Sequence, residues 1–330
     1  MAQDPRKLVF IKYLNKLGPL MGLILVYLFF LIIGPESFRT TRNLETIARQ
    51  SAIVGIGALG MTFVIISGGI DLSIGSMVAF ATTAIAWSLN HFGIQPMPFV
   101  AALAAIIACA LFGMINGLLI TQLRVVPFIV TLGSMLLVRG AAKGLSKEQK
   151  IDAPETWLND LLASLGPDNR WMIFPAGVWI MLLGAIIAAL VLKITKFGKH
   201  TCAIGSNENT ARLCGVAVNK VKVAIYTLCG ACGGLAGVMQ FSRLTVGDPT
   251  VAAGLELDVI AAVVIGGGSL SGGEGSITGS LIGTLIMAVI RSGCSQMGWS
   301  NWIQEIITGI IIISAVALDR LRHRKVIATS

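Results

Sequence analysis

Charge is what this sequence has least of. Only 12% of its residues are Asp, Glu, Lys or Arg, against 55% that are hydrophobic, and one soluble core of 330 residues could not hide so much apolar surface. Histidine is nearly absent as well. The three present, His91, His200 and His323, fall in loops or at run ends, with no cysteine or carboxylate cluster at metal-ligand spacing. No nucleophile is paired with a base, which argues against an intramembrane hydrolase, and no cofactor or metal is expected. The chain also lacks a Gly-x-x-x-x-Gly-Lys-Ser/Thr loop, so it has no phosphate cradle of its own. The six cysteines give no disulfide framework. Cys229 and Cys232 lie in a run of small residues, where close helix packing explains them better than metal or redox chemistry.

Long apolar runs fill the chain from end to end, and a bilayer is the solvent they require. The pattern predicts an all-α polytopic membrane protein of about ten transmembrane helices in a single domain over 1–330, some of them short or broken. They are expected at 17–33, 44–66, 72–89, 97–120, 125–144, 172–192, 221–241, 255–266, 276–291 and 302–318. The first follows Arg6, Lys7, Lys12 and Lys16, but no Ala-x-Ala cleavage site follows it, so it is expected as a membrane helix and not as a secretory signal.

The net charge of +9 resides in loops without interleaved aromatics, which argues against a nucleic-acid partner. Ten crossings put both termini on one side. Placing that side in the cytoplasm puts most Lys and Arg inside, including Arg124, Lys193, Lys196, Lys199, Lys220, Lys222, Arg320, Arg322, Arg324 and Lys325. The loop 145–171 is then outside, with Asp168 and Arg170 among its nearly balanced charges, and 193–220 is inside. Cys202 and Cys214 should react with thiol reagents from the inner side, and Cys294 from the outer.

Two motif matches fail on context. Gly55-Ile-Gly57-Ala-Leu-Gly60 fits a dinucleotide fingerprint but sits within an apolar helix instead of a strand–turn–helix unit. Leu270-Ser-Gly-Gly-Glu274 looks like an ATPase signature, yet without a phosphate loop it reads as a tight turn between helices. Gly113 and Gly117, Gly233 and Gly237, and Gly275, Gly279 and Gly283 have the spacing that lets helix backbones approach.

Three spans are poor membrane helices: 72–89 opens at Asp71 after Gly68 and Gly69, 125–144 carries Pro127 and Arg139, and 255–266 carries Glu256 and Asp258. Transporters place cavities at such interruptions. A carboxylate at membrane depth costs on the order of 2.5–3.5 kcal/mol. Asp71, Glu256 and Asp258 are therefore either hydrated at the interface, or helix-end braces, or a polar lining to a path. In the inner loop, Gly205-Ser206-Asn207-Glu208 followed by Ala211-Arg212 has the form of a short capped helix, which Gly215 would end.

These blocks resemble one family. Gly60-Met-Thr-Phe-Val-Ile-Ile-Ser-Gly68-Gly69-Ile-Asp71-Leu-Ser73-Ile-Gly-Ser is similar to the most recognisable motif in the membrane subunits of bacterial ABC importers for ribose, xylose, arabinose and galactosides. Asn116-Gly117-Leu, Val126-Pro127-Phe-Ile-Val-Thr131-Leu-Gly133, the run from Gly205 to Gly215, and Glu256-Leu-Asp258 with its glycine-rich sequel supply further matches. Two positions depart: Ser292-Gly293-Cys294 stands where Asn-Gly-Leu is common, and Gly273-Glu274-Gly275 where Gly-Arg-Gly is.

The resemblance implies a non-catalytic permease for a ribose-like pentose or related monosaccharide. It implies a second permease copy or paralogue, a cytoplasmic ATP-binding subunit and a periplasmic sugar-binding protein. Gly205, Ser206, Asn207, Glu208, Ala211, Arg212 and Gly215 would couple to the ATPase, and Gly68, Gly69, Asp71, Ser73, Asn116, Thr131, Glu256 and Asp258 are translocation-path candidates. The alternative is a secondary sugar transporter that couples to protons through Asp71 or Glu256.

Overall fold

The computed structural model describes residues 5–92, 97–166 and 171–327. Asp168 and Arg170 lie outside that set, as do the side chains of the terminal cations Arg6, Lys7, Lys12, Lys16, Arg320, Arg322, Arg324 and Lys325. The helices are α1 (Pro5–Ile33), α2 (Thr41–Ile66), α3 (Ile74–His91), α4 (Pro98–Gln122), α5 (Pro127–Ser146), α6 (Ala176–Ile194), α7 (Lys196–Ser206), α8 (Glu208–Leu213), α9 (Val218–Leu244), α10 (Leu255–Ile265), α11 (Ile277–Gln296) and α12 (Asn301–Ile327). Every expected span has its helix. Among the described residues six of them, α2, α4, α5, α6, α9 and α11, are long and apolar enough to cross a bilayer by length and composition.

Local chemistry sets the starts. Thr40 accepts from the Asn43 amide at the head of α2, and Ser276 does the same for α11 through Gly279. Pro98 and Pro127 occupy the first turns of α4 and α5, where a missing amide proton costs nothing.

The centre is built on α2 and α9. Phe63, Ile65 and Ile66 of α2 and Phe241 and Tyr226 of α9 are buried. Apolar lipid offers no hydrophobic drive for helix association, so close packing must supply it. The glycines do so. A Cβ on Gly113 would run into the Tyr226 carbonyl oxygen, one on Gly230 into that of Cys109, and one on Gly60 would lie 2.8 Å from the Cys229 Cα. Gly275 is the exception among the spaced glycines, since it precedes α11 and packs on Ile66.

Two crossings are interrupted. After Ile66, Gly68 turns the chain (φ +80°), and the link folds back along α2, where the Gly69 amide donates to Val64. Helix α3 then begins beside Gly57, where a Cβ would lie 3.3 Å from Ile74. The link has therefore climbed nine residues of α2, about 13 Å, before helix resumes.

The second interruption runs the other way. Strands of two residues pair Ile151 with Gly247 and Asp152 with Val246. From there the chain descends beside α3, with Gly247 against Ala86 and Thr82, and Ala252 against Gly75. Only then does α10 start, and its 11 residues reach about 16 Å, too short to cross alone. The span 255–266 is thus a helix close to its expected limits, while the crossing is completed by the run of turns before it.

Candidate functional site

The element at 193–220 differs from its expected form. Two helices fill it, and Gly205 and Ser206 end the first instead of opening the second. Asn207 closes α7 and caps α8, its side chain accepting from the Thr210 amide at 2.9 Å. Ala211 is buried with Ile204 and Val218 in a small apolar cluster. Gly215, at φ +83°, ends α8 in the left-handed conformation, and the Val216 amide returns to the Ala211 carbonyl at 3.1 Å. Leu213 is left 88% exposed.

Glu208 opens α8 and ties it to α9. Its carboxylate meets Arg212 at 3.1 Å and Lys222 of α9 at 2.6 Å. Partial burial alone would raise its pKa, but the hydrogen bonds and charges of Lys222 and Arg212 outweigh burial and hold it below the ordinary glutamate value.

Gly205 has a reason that its sequence neighbourhood did not reveal. A Cβ there would strike the Ile66 carbonyl oxygen and lie 2.5 Å from the Gly273 amide nitrogen. Those two groups hydrogen-bond to each other at 2.8 Å. Gly272 and Gly273, both at positive φ, bring the 266–276 turn against Gly205 and Ser206. The end of α2, the end of α7 and the glycine-rich turn therefore meet at one seam, which demands glycine on two of its three sides.

Above that seam lies a buried polar chain. Asp71 Oδ1 accepts from the Ser73 amide at 2.9 Å and the Ser73 hydroxyl at 2.5 Å. Asn116 of α4 donates to Ser73 Oγ at 3.1 Å, and Ser134 of α5 donates to Asn116 Oδ1. Thr131 Oγ1 is 3.0 Å from the Pro127 carbonyl and 3.2 Å from that of Ile70. Asp71, Ser73, Asn116 and Thr131 all have zero exposure, so the hydrated-interface reading of Asp71 is excluded. Together they fasten the α2–α3 link to α4 and α5. The Asp71 Oδ2 atom and the Tyr226 hydroxyl, which adjoins Gly69, are buried without hydrogen-bond partners among the described residues.

The α10 carboxylates have separate surroundings. Asp258 is buried and ion-paired with Arg291 of α11. Glu256 Oε1 accepts from the Gly254 amide at 3.2 Å, and its other oxygen lies over Gly75 at the head of α3. Arg139 of α5 donates to the Pro249 and Val251 carbonyls at 3.1 and 2.6 Å, so it holds the descending segment in place.

Sequence reading noticed Arg139, Lys222 and the 270–274 turn but gave them no partner, and it passed over Ser134 and Arg291. Each of these contacts joins residues 14 or more positions apart. Among the described residues no group of three His, Cys, Asp or Glu is placed to hold a metal.

Comparison with known proteins identifies the family. Residues 43–316 match the family described as the permease component of branched-chain amino acid transport systems. The ribose import permease of Escherichia coli strain K12 is 39% identical over 87% of this chain and 88% of its own length. That of Bacillus subtilis strain 168 is 39% identical over 97% of both chains. The L-arabinose ABC transporter permease of Azospirillum brasilense is 33% identical over 94% of this chain and 89% of its own. No solved structure matches the chain. A bundle of long apolar helices with two interrupted crossings, matched over most of its length by import permeases, belongs to the ABC-transporter permease family that includes the ribose and arabinose permeases.

Proposed function

We propose that this chain is the permease subunit of an ATP-driven importer that moves a ribose-like pentose or related monosaccharide across the bacterial inner membrane, with both termini and the α7–α8 element in the cytoplasm. The identity to ribose permeases over nearly the whole chain supports the substrate class. A separate ATPase subunit would supply the energy, and a periplasmic binding protein would deliver the sugar.

One observation carries the coupling role. Helices α7 and α8 present an exposed tip at Leu213 while their other side is seated on Ile66 and Gly273. A displacement at the tip is thereby passed to both interrupted crossings, through 67–73 to α3 and through 266–276 to the end of α10. An ATPase that grips α8 differently in its nucleotide states would bias the two links between arrangements. The Asp71–Ser73–Asn116–Ser134 chain would carry the bias on to α4 and α5. In this reading Glu256 at the head of α10 and Gly68 and Gly69 in the link lie where the path changes shape.

The second permease copy or paralogue has a candidate surface. On α5, a Cβ added to Gly133, Gly140 or Gly144 would meet nothing within 4 Å, and Leu137 is 74% exposed beside them. Small residues on a membrane-exposed face suit a close helix contact.

The test is reconstitution. The complex purified from cells should contain an ATPase chain and show sugar uptake into vesicles only with ATP. Uptake by this chain alone, driven by a proton gradient, would instead establish the secondary-transporter reading.

A further inference from the structure

An apolar trough of about 710 Å³ lies between α4 and α9, running along Lys220, Val223, Ala224, Thr227, Leu228 and Ala231. From Lys220 to Ala231 α9 rises about 16 Å, close to half of a ~30 Å hydrocarbon core. The Thr227 hydroxyl turns back to the Val223 carbonyl at 2.8 Å, so it offers the trough no free donor.

The trough does not end blind. Thr121, Gln122 and Asn219 also line a second, polar cavity of about 650 Å³ that contains Arg124, Arg212, Lys222 and Glu208. Glu208 is the one carboxylate among the described residues that line it, and it is taken by Arg212 and Lys222. Arg124, in the α4–α5 turn, and Lys220, at the head of the trough, have no acidic partner among the described residues. A trough one leaflet deep thus opens into unmatched positive charge, and that pairing of shape and charge complements a lipid with an anionic headgroup.

We propose that an anionic phospholipid of the cytoplasmic leaflet binds here, an acyl chain in the α4–α9 trough and its phosphate at the basic mouth formed by Arg124 and Lys220. The leaflet rests on the orientation proposed above, while the binding itself does not. The headgroup sits against Glu208, Asn209 and Arg212 of α8, so the lipid braces the coupling element against the α4–α5 turn.

Native mass spectrometry on the full-length chain, extracted from phosphatidylcholine vesicles doped with phosphatidylglycerol, reads this without sugar, ATP or partner. Wild type should retain one phosphatidylglycerol in preference to phosphatidylcholine. Each neutralised cation should weaken retention about fivefold, so Arg124→Gln with Lys220→Gln together should lose on the order of twenty- to thirtyfold. Ala224→Phe, which fills the trough and leaves every charge in place, should also reduce retention. Glycerol phosphate, which has the headgroup and no chain, should not compete. Equal retention of phosphatidylcholine, unchanged retention in the double variant, or full retention in Ala224→Phe would each overturn the proposal. Should the double variant fail to fold, the lipid preference of the wild type and the Ala224→Phe result still decide. Failure of ATP-driven uptake with lipid retention intact would count against the transport reading alone.

Discussion

Asp71 makes the sharpest demand of any residue in the bundle. It is wholly buried, it organises the α2–α3 link through Ser73, and one of its oxygens has no hydrogen-bond partner among the described residues. Asp71→Leu would leave the Ser73 amide and hydroxyl without their acceptor, at a cost of about 1–3 kcal/mol for each buried group, and should lower the thermal midpoint of the purified protein. Asp71→Asn keeps an acceptor and the shape, so the fold should survive while transport or assembly changes. Asp152→Asn, on an exposed strand, should do neither. Equal and mild effects of the two asparagine variants on uptake would remove Asp71 from the mechanism. Glu208 supports a pH prediction. Its pKa is depressed in the folded protein, so its attachment of α8 to α9 is complete above the ordinary glutamate value and is lost as pH falls through the depressed one. Being partly exposed, the pair contributes modestly. Amide protection over 208–216, corrected for intrinsic rates, should therefore fall on acidification in wild type and stay low and flat in Glu208→Gln.

At the scale of elements, the two glycines of the proposed coupling segment should fail differently. Gly205 is hemmed in by the backbone at Ile66 and Gly273, so even alanine must force the seam apart, and Gly205→Leu should detach α7 from the bundle. Gly215 has open space around it, and only its left-handed φ resists substitution, at roughly 1–2 kcal/mol for alanine. Alanine and leucine at Gly215 should therefore behave alike, whereas at Gly205 leucine should be far worse. Thermal midpoints and ATPase binding of the four variants check this, and a strong size dependence at Gly215 would contradict the open geometry. The contrast also marks what was legible in the sequence. Helix positions could be read because apolar runs, prolines and caps are local, and the interruptions at Gly68-Gly69 and at Glu256 could be read from charge and glycine inside a span. The seam could not, because Gly205, Ile66 and Gly273 are brought together by the fold alone. The non-helical descent before α10 escaped for a similar reason: its backbone is held by Arg139 and Thr82 from other helices.

For the whole molecule, orientation is the first consequence to check. Cys202 and Cys214 sit on the proposed cytoplasmic element, and an impermeant thiol reagent should label neither in intact cells and both in inverted vesicles. Burial pushes the Cys202 thiol up, and the thiolate is the reactive form, so Cys214 should label faster. Cys294 is not the outer marker its position in the sequence suggests, because it is buried against the Phe30 and Phe38 cluster. Lys150→Cys, on the exposed side of the opposite loop, serves instead and should label in intact cells. The central claim is that a force applied at α7–α8 by a separate ATPase moves the interrupted crossings. Its most direct measurement is sugar uptake alongside ATP hydrolysis in vesicles holding the full complex, comparing wild type with Gly205→Leu and Glu208→Gln. The account predicts that the variants retain a folded membrane domain and some hydrolysis while uptake per ATP falls. Uptake and its coupling to ATP unchanged in both variants, with the ATPase still bound, would contradict it.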